Sequence, residues 1–223
     1  MKLPQVSRQT LADQVYDRVV EAIVVGDIEA GSAISENEVA VRFGVSRGPA
    51  REAIFRLEAK GLITRAAHMG ARVVDLTLDD LRGLYEVRES LEGMACRLAA
   101  ERMSAAELTA LEGKLERHAS RPEVASGKSY YQAGGDQDFH LAIAAASHNP
   151  RLLRSLAGDL YDVMRVYRFR SSTTVGRTRE ALAEHSQIVA ALKARDADEA
   201  EAAMRKHIRS SWANIQNTFD GGA

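Results

Sequence analysis

Two short helical patterns separated by a tight turn place the strongest constraint on the fold of this chain. Residues Ser35 to Glu38 read Ser-Glu-Asn-Glu, a capping box in which both side chains satisfy unpaired backbone N–H groups at a helix start. That helix is expected to end near Phe43, because Gly44-Val45 forms a tight turn. Ser46 can then cap a following helix, which Gly61 can end. The spacing predicts a helix-turn-helix.

Elements on both sides extend this pair to a winged domain. An apolar residue at every fourth position predicts an amphipathic helix over residues 10–25, with Gly26 as its stop. The residues that set this repeat are Leu11, Val15, Val19 and Ile23. After the third helix, Leu62 to Arg65 and Ala71 to Val74 favour two short strands joined by a turn at residues 67–70. Such a hairpin is the wing of a winged helix-turn-helix.

Charge is distributed unevenly around these elements. The whole chain has a formal net charge of −1, but residues 1–41 carry −4 and residues 42–72 carry +5. Arg47 and Arg51 lie four residues apart and share a face near the start of the third helix. Arginine can read guanine or grip phosphate from such a position. An arginine-rich helix alone is more often a solvated surface, but its place between a turn and a basic hairpin favours DNA binding.

The same residues resemble the GntR family of winged-helix regulators over most of this domain. The resemblance is carried by Ser35, Glu38 to Ala40, Phe43 to Arg47, Pro49 to Ala53, Leu57, Gly61 to Ile63 and Gly70. It implies that Arg47 and Arg51 contact DNA and that the wing tip reaches the minor groove. The candidate DNA-binding residues are Ser46, Arg47, Pro49, Arg51, His68, Met69 and Gly70. Asn37 departs from the fatty-acid-responsive member of the family, which has a DNA-contacting arginine there.

The remainder of the chain reads as helical. Thr77-x-x-Asp80 resembles a capping box and places the domain boundary near residue 76. Six helices are expected, at residues 78–102, 104–118, 128–147, 150–171, 177–194 and 196–219. With only four prolines in 223 residues, we expect a mostly α fold, in which a winged helix-turn-helix over residues 1–76 precedes an all-α bundle over residues 77–223.

Three histidines and one aspartate in the helical part form a candidate metal site. Asp136 and His140 lie four residues apart on one helix face, within reach of a single ion. His185 and His207 lie on the fifth and sixth predicted helices. Three imidazoles and a carboxylate can bind zinc, nickel or manganese and leave positions open for a ligand. Taken singly, each residue is more often an ordinary surface or core residue.

A second resemblance covers nearly the whole helical part. This resemblance is to the FCD class of GntR regulators. It is carried by Asp136-x-x-Phe139-His140, by Asn149-Pro150, and by His185, Ile188, Ala191, Leu192, Asp196, Ala200, Met204 and His207. The resemblance implies an antiparallel helical bundle, a divalent metal bound through Asp136, His140, His185 and His207, and a small organic or sugar acid as effector. Six helices resemble the vanillate-regulator branch of the class.

Arg88 interrupts an apolar stripe on the first long helix of this part. The stripe consists of Leu81, Leu84, Leu91, Ala95 and Leu98. Two interpretations of Arg88 are open: an internal ion pair with a carboxylate such as Glu92, or a contact with the carboxylate of an effector. Arg165 and Arg168 are weaker candidates for the same role.

These patterns predict a transcription regulator that binds a palindromic double-stranded DNA operator as a homodimer and responds to a small carboxylate effector. A metal-dependent helical-bundle enzyme and a metal-ion sensor are alternatives, but the chain has no His-Glu-x-x-His and no Glu-x-x-His motif, so it is not expected to be an enzyme. With one cysteine, Cys96, and neither a signal peptide nor a long apolar run, we expect a cytoplasmic protein without a membrane partner.

Overall fold

A computed structural model describes residues 9–66, 70–126, 138–172 and 177–220. The chain divides into two compact units, Met1–Asp75 and Leu76–Ala223. Three candidate site residues, His68, Met69 and Asp136, lie outside the described residues.

The first unit contains the predicted winged helix-turn-helix. Its elements are α1 (Leu11–Val24), β1 (Ala33–Ile34), α2 (Glu36–Phe43), α3 (Arg47–Ala59), β2 (Ile63–Ala66) and β3 (Gly70–Val73). The strands β2 and β3 form the expected hairpin. The two-residue strand β1 was not predicted, because it is too short to show alternation; it pairs with β3 and completes a three-stranded antiparallel sheet in the order β1-β3-β2.

Local signals explain the turn between α2 and α3. Ser35 accepts a hydrogen bond from the backbone N–H of Glu38 and starts α2. Gly44 ends α2 in the left-handed conformation, with φ of 65°, which costs glycine little. Ser46 occupies the N-cap position of α3, but its side chain makes no capping hydrogen bond, which corrects the expectation that its hydroxyl caps the helix.

The second unit is helical throughout its described residues. Its helices are α4 (Leu78–Arg102), α5 (Ala105–Ala119), α6 (Pro122–Ala125), α7 (Phe139–Ala146), α8 (Pro150–Ala157), α9 (Asp159–Ser172), α10 (Arg177–Ala194) and α11 (Ala197–Asp220). Helix α4 packs against α11 and also against α7 and α10. In the described ranges, no helix has the length and apolar character needed to cross a lipid bilayer.

Three details of the predicted helices are corrected. The helix expected over residues 150–171 is interrupted at Gly158, so α8 and α9 are separate elements. The expected loop after residue 121 contains the short helix α6. In the described part of the predicted helix 128–147, α7 begins at Phe139, where Asp138 caps it.

Candidate metal centre and nucleic-acid surface

Three histidines from separate helices meet in the interior of the helical unit. His140 on α7, His185 on α10 and His207 on α11 are all buried, and each offers a nitrogen within 4.8 Å of the other two. The Nε2 atoms of His185 and His207 are 3.2 Å apart. Two nitrogens bound to one tetrahedral zinc ion lie at roughly 3.3 Å from each other, given the usual Zn–N length. The fold thus brings together the three histidines that the sequence singled out.

Carboxylates contact the Nδ1 atoms of two of these rings. Nδ1 of His140 lies 2.5 Å from a carboxylate oxygen of Glu92, and Nδ1 of His207 lies 2.7 Å from one of Glu184. A neutral imidazole that donates from Nδ1 carries its lone pair on Nε2, the nitrogen that is then available to a metal. His185 is oriented differently, by stacking on the ring of Phe139 with 4.1 Å between centroids.

The protonation state of the cluster suits a cation. Burial lowers the pKa of His207 to about 4, although its hydrogen bond with Glu184 acts in the opposite direction. Burial and the neighbouring His207 also hold the pKa of His185 well below its usual range. The rings of His185 and His207 are therefore neutral at pH 7, which metal ligation requires. Imidazole nitrogens whose lone pairs face each other repel unless a proton or a cation lies between them. The three histidine nitrogens therefore fit a borderline divalent ion such as zinc.

A small cavity lies next to His140. Its polar lining consists of Arg88, Glu92, Asp138, His140, Tyr161 and Arg168, and three leucines and a methionine complete the wall. The volume open to the centre of a water-sized sphere is about 20 Å³. That is room for roughly one ordered water molecule, so any larger ligand must displace side chains.

Arg88 is buried at the edge of this cavity, with 3% of its surface exposed. Its Nε donates to Glu92, as the first interpretation of its position on the stripe predicted. Its Nη1 is also buried but has no hydrogen-bond partner among the described residues. A buried N–H group without a partner is costly, so this edge of the guanidinium is suited to an anion.

Sequence reasoning missed two further ion pairs around the cluster. Arg168 donates to Asp138 at 2.7 Å, and the other oxygen of Asp138 caps α7 through the N–H of His140. Arg177 donates to Glu184 at 2.6 Å. The position of Asp138 before an apolar helix was a usable capping signal, whereas the partners of Arg168 and Arg177 are not visible from sequence spacing.

The candidate DNA-contacting residues that the structure describes are exposed or half-buried in the first unit. Arg47 and Arg51 are exposed on α3, as is Ser46 just before it, and Pro49 is half-buried. Nη2 of Arg47 donates to Oδ1 of Asn37 at 3.4 Å. Gly70, with φ of 73°, starts β3 on the wing side. An open groove runs between α2, α3 and the wing, and Arg47, Arg65 and Gly70 lie along it.

Comparisons with known proteins agree with this arrangement. The family of bacterial regulatory proteins called the gntR family matches residues 11–73, and the FCD domain matches residues 83–210. A probable D-xylose utilization operon transcriptional repressor from Paenarthrobacter nicotinovorans is 33% identical, over 92% of this chain and 88% of its own. The repressor RspR of Escherichia coli is 29% identical, over 93% of this chain and 90% of its own.

Solved structures show the same fold. Escherichia coli McbR/YncC superimposes with a TM-score of 0.77 and 22% identity, over 94% of this chain and 99% of that one. A GntR regulator from Rhodococcus sp. RHA1 gives a TM-score of 0.72 at 18% identity, over 92% and 97% of the two chains. Because the gntR family and the named relatives are regulators, the alternative of a metalloenzyme is set aside. The chain belongs to the GntR family of bacterial regulators, with an FCD domain, and is a DNA-binding transcription regulator rather than an enzyme.

Proposed function

We propose that this regulator changes its affinity for a DNA operator when a small carboxylate binds beside a divalent metal in its helical unit. The observation that carries the proposal is the meeting of three buried imidazoles next to a buried arginine whose Nη1 has no hydrogen-bond partner among the described residues. His140, His185 and His207 would hold the metal, with Asp136 as the fourth ligand that the FCD resemblance implies. Zinc, nickel and manganese all suit such a donor set. The ion would supply an electropositive position for a carboxylate oxygen.

Arg88 supplies the second attachment point for the acid. A carboxylate that accepts from Nη1 would satisfy the unpartnered donor, and a charge-assisted hydrogen bond of this kind is stronger than a neutral one. The cavity holds only about one water molecule in its present form, so the acid must push lining side chains aside. Such displacement in a tightly packed interior moves the helices that carry those side chains. Effector binding would thereby change the positions of helices in the helical unit.

The two units then have separate tasks. Residues 1–76 bind DNA, and residues 77–223 bind the effector and form the homodimer, whose two-fold symmetry matches two half-sites of a palindromic operator. Coupling of about 1–3 kcal/mol between the acid and the operator would change DNA affinity by roughly 5- to 150-fold. Sugar acids and other small organic acids are the first effectors to test, because they carry the carboxylate that Arg88 and the metal would bind.

Thermal unfolding tests the proposal. Metal-loaded and chelator-treated protein would be heated with a panel of sugar acids and other organic acids, because a ligand of the folded state raises the melting temperature. We expect a shift for a subset of acids that disappears after chelation. His185→Asn should abolish it, whereas His148→Asn should not: His148 is exposed, and asparagine tolerates its φ of 50°. A protein that neither loses metal nor responds to any acid would contradict the proposal.

A metal sensor is the second candidate, and the small cavity favours it, because both cavity arginines already have carboxylate partners. In that case DNA affinity would follow the metal concentration alone. A fluorescence anisotropy measurement with an operator selected by the protein from random DNA, made with and without metal and acid, separates the two functions.

A further inference from the structure

Glu92 uses its two carboxylate oxygens on two different elements of the candidate site. Oε1 accepts a hydrogen bond from Nε of Arg88, and Oε2 lies against Nδ1 of His140; each distance is 2.5 Å. All three side chains are buried, with Glu92 at 5% exposure. Arg88 and Glu92 lie one turn apart on α4, while His140 belongs to α7. One carboxylate therefore joins the arginine of the cavity to a histidine of the cluster.

We infer that Glu92 is a positioning residue that holds the anion-binding edge of Arg88 and the metal-binding face of His140 at the same time. This inference rests on the proposed function. With Nε held by Glu92, the Nη1 edge of Arg88 is left for an anion. With Nδ1 of His140 held by the same carboxylate, Nε2 of that ring is left for a metal. Metal binding and acid binding thus depend on a single side chain.

Glu184 provides an internal comparison. It has the same relationship to His207 that Glu92 has to His140, since it lies 2.7 Å from Nδ1 and also pairs with a buried arginine, Arg177. Arg177, however, does not line the cavity beside His140. Glu184 is therefore expected to support only the metal, whereas Glu92 supports both the metal and the acid.

A glutamine at either position separates these roles. Glutamine keeps the size of glutamate but offers a single acceptor oxygen and an NH2 group, so Glu92→Gln cannot accept from Arg88 and from His140 together. Loss of an outer partner of a metal-binding histidine typically lowers metal affinity about 10- to 100-fold. We expect that loss in both Glu92→Gln and Glu184→Gln. At saturating metal, only Glu92→Gln should bind the acid about tenfold or more weakly, because only this substitution removes the charged hydrogen-bond partner of an arginine that lines the cavity.

The test measures two affinities in the full chain. Zinc affinity is measured by competition with a chelating dye, and acetate affinity is measured by calorimetry on protein saturated with zinc. Glu92→Asp is made as well, because it keeps the buried charge that balances Arg88 but is too short to span both partners. Circular dichroism confirms that each variant is folded, and Glu92→Asp gives the answer if Glu92→Gln does not fold.

The outcomes distinguish the two ideas. Weaker zinc and acetate binding in the Glu92 variants, with only zinc weakened in Glu184→Gln, supports the inference. If the wild type binds both ligands but the Glu92 variants keep normal acetate affinity, or lose no more of it than Glu184→Gln, the inference is wrong and the proposed function stands. If the wild type binds neither zinc nor acetate, the proposed function fails and the inference fails with it.

Discussion

The backbone N–H of Leu76 donates a hydrogen bond to the hydroxyl oxygen of Tyr167, with 2.8 Å between the nitrogen and the oxygen. Leu76 is the first residue of the helical unit, directly after the DNA-binding unit in the chain. Tyr167 is buried on α9, beside Arg168, which lines the cavity. Under the proposed function, a displacement of α9 by a ligand would act through this hydrogen bond on the residue where the chain leaves the first unit.

Tyr167→Phe should weaken the response to the acid without weakening acid binding. The substitution removes the acceptor for the N–H of Leu76 and should lower the free energy of unfolding by about 1 kcal/mol. The change in operator affinity that the acid causes should become smaller, as measured by anisotropy, while calorimetry gives an unchanged acid affinity. Tyr85→Phe is the control, because it also loses a buried hydroxyl contact, which lies 3.3 Å from the Ser211 hydroxyl and does not involve Leu76. An equal loss of response in both variants would count against this route.

Arg51→Ala should reduce operator affinity roughly 5- to 150-fold, since a single arginine contact to a base contributes about 1–3 kcal/mol. Arg51 is exposed on α3, and no hydrogen bond or ion pair in the described structure depends on it, so the fold should be unchanged. Arg18→Ala, at an exposed position of α1, is the matched control and should bind normally. Anisotropy at fixed salt measures both, and unchanged affinity in Arg51→Ala would refute its assignment to the DNA-binding surface.

The winged helix-turn-helix could be predicted because its signals are local. The cap at Ser35 and the left-handed Gly44 each act within a few residues of their own helix, so the sequence alone fixes where α2 starts and stops. β1 could not be predicted in this way. Its two residues pair with Ala71 and Arg72, nearly forty positions later, and only the folded hairpin supplies that edge.

The candidate site was predictable only in part, because its partners are distant in the chain. The three histidines were found from residue type, spacing and resemblance. The Arg88–Glu92 pair was one of the two interpretations left open for Arg88, since residues four apart share a helix face. Glu184, by contrast, meets His207 across two helices, and Asp138 meets Arg168 thirty positions later. Which charges meet at such separations depends on helix packing, which periodicity does not determine.

The break between α8 and α9 shows the same limit at a single residue. A glycine within a helical pattern costs only about 1 kcal/mol, so the sequence favoured one continuous helix. Gly158 instead adopts φ of −86° and ψ of −130°. A Cβ atom there would lie 2.6 Å from the carbonyl oxygen of Arg154, which excludes other residues from this conformation.

Gly158→Ala should therefore destabilise the helical unit by roughly 1–3 kcal/mol, because the backbone must change or accept a steric clash. Gly83→Ala is the matched control: this glycine is exposed within α4, and a Cβ there has nothing within 4 Å. Alanine should stabilise that position by about 0.5–1 kcal/mol, because it restricts the unfolded chain. Urea denaturation of both variants measures the difference. A Gly158→Ala protein as stable as Gly83→Ala would show that the break is not fixed by this glycine.

The metal-free protein should lose stability as the pH falls from about 6.5 towards 4. Burial keeps the pKa of His207 at about 4 in the folded state, whereas a histidine in the unfolded chain has a pKa of about 6.5. Between these values the unfolded state binds a proton that the folded state does not, so unfolding becomes more favourable by about 1 kcal/mol per pH unit for each such histidine. The depressed pKa of His185 acts in the same direction.

Below about pH 4.5 the carboxylates extend this loss. The hydrogen bonds of Glu184 to His207 and Arg177 lower its pKa to about 2 despite its burial, so protonation of the unfolded chain again favours unfolding. Urea denaturation of chelator-treated protein at a series of pH values measures the slope. His207→Gln, which can still donate to Glu184, should have a shallower dependence between pH 6.5 and 5. An identical slope in this variant would mean that His207 is not a buried neutral histidine in the metal-free protein.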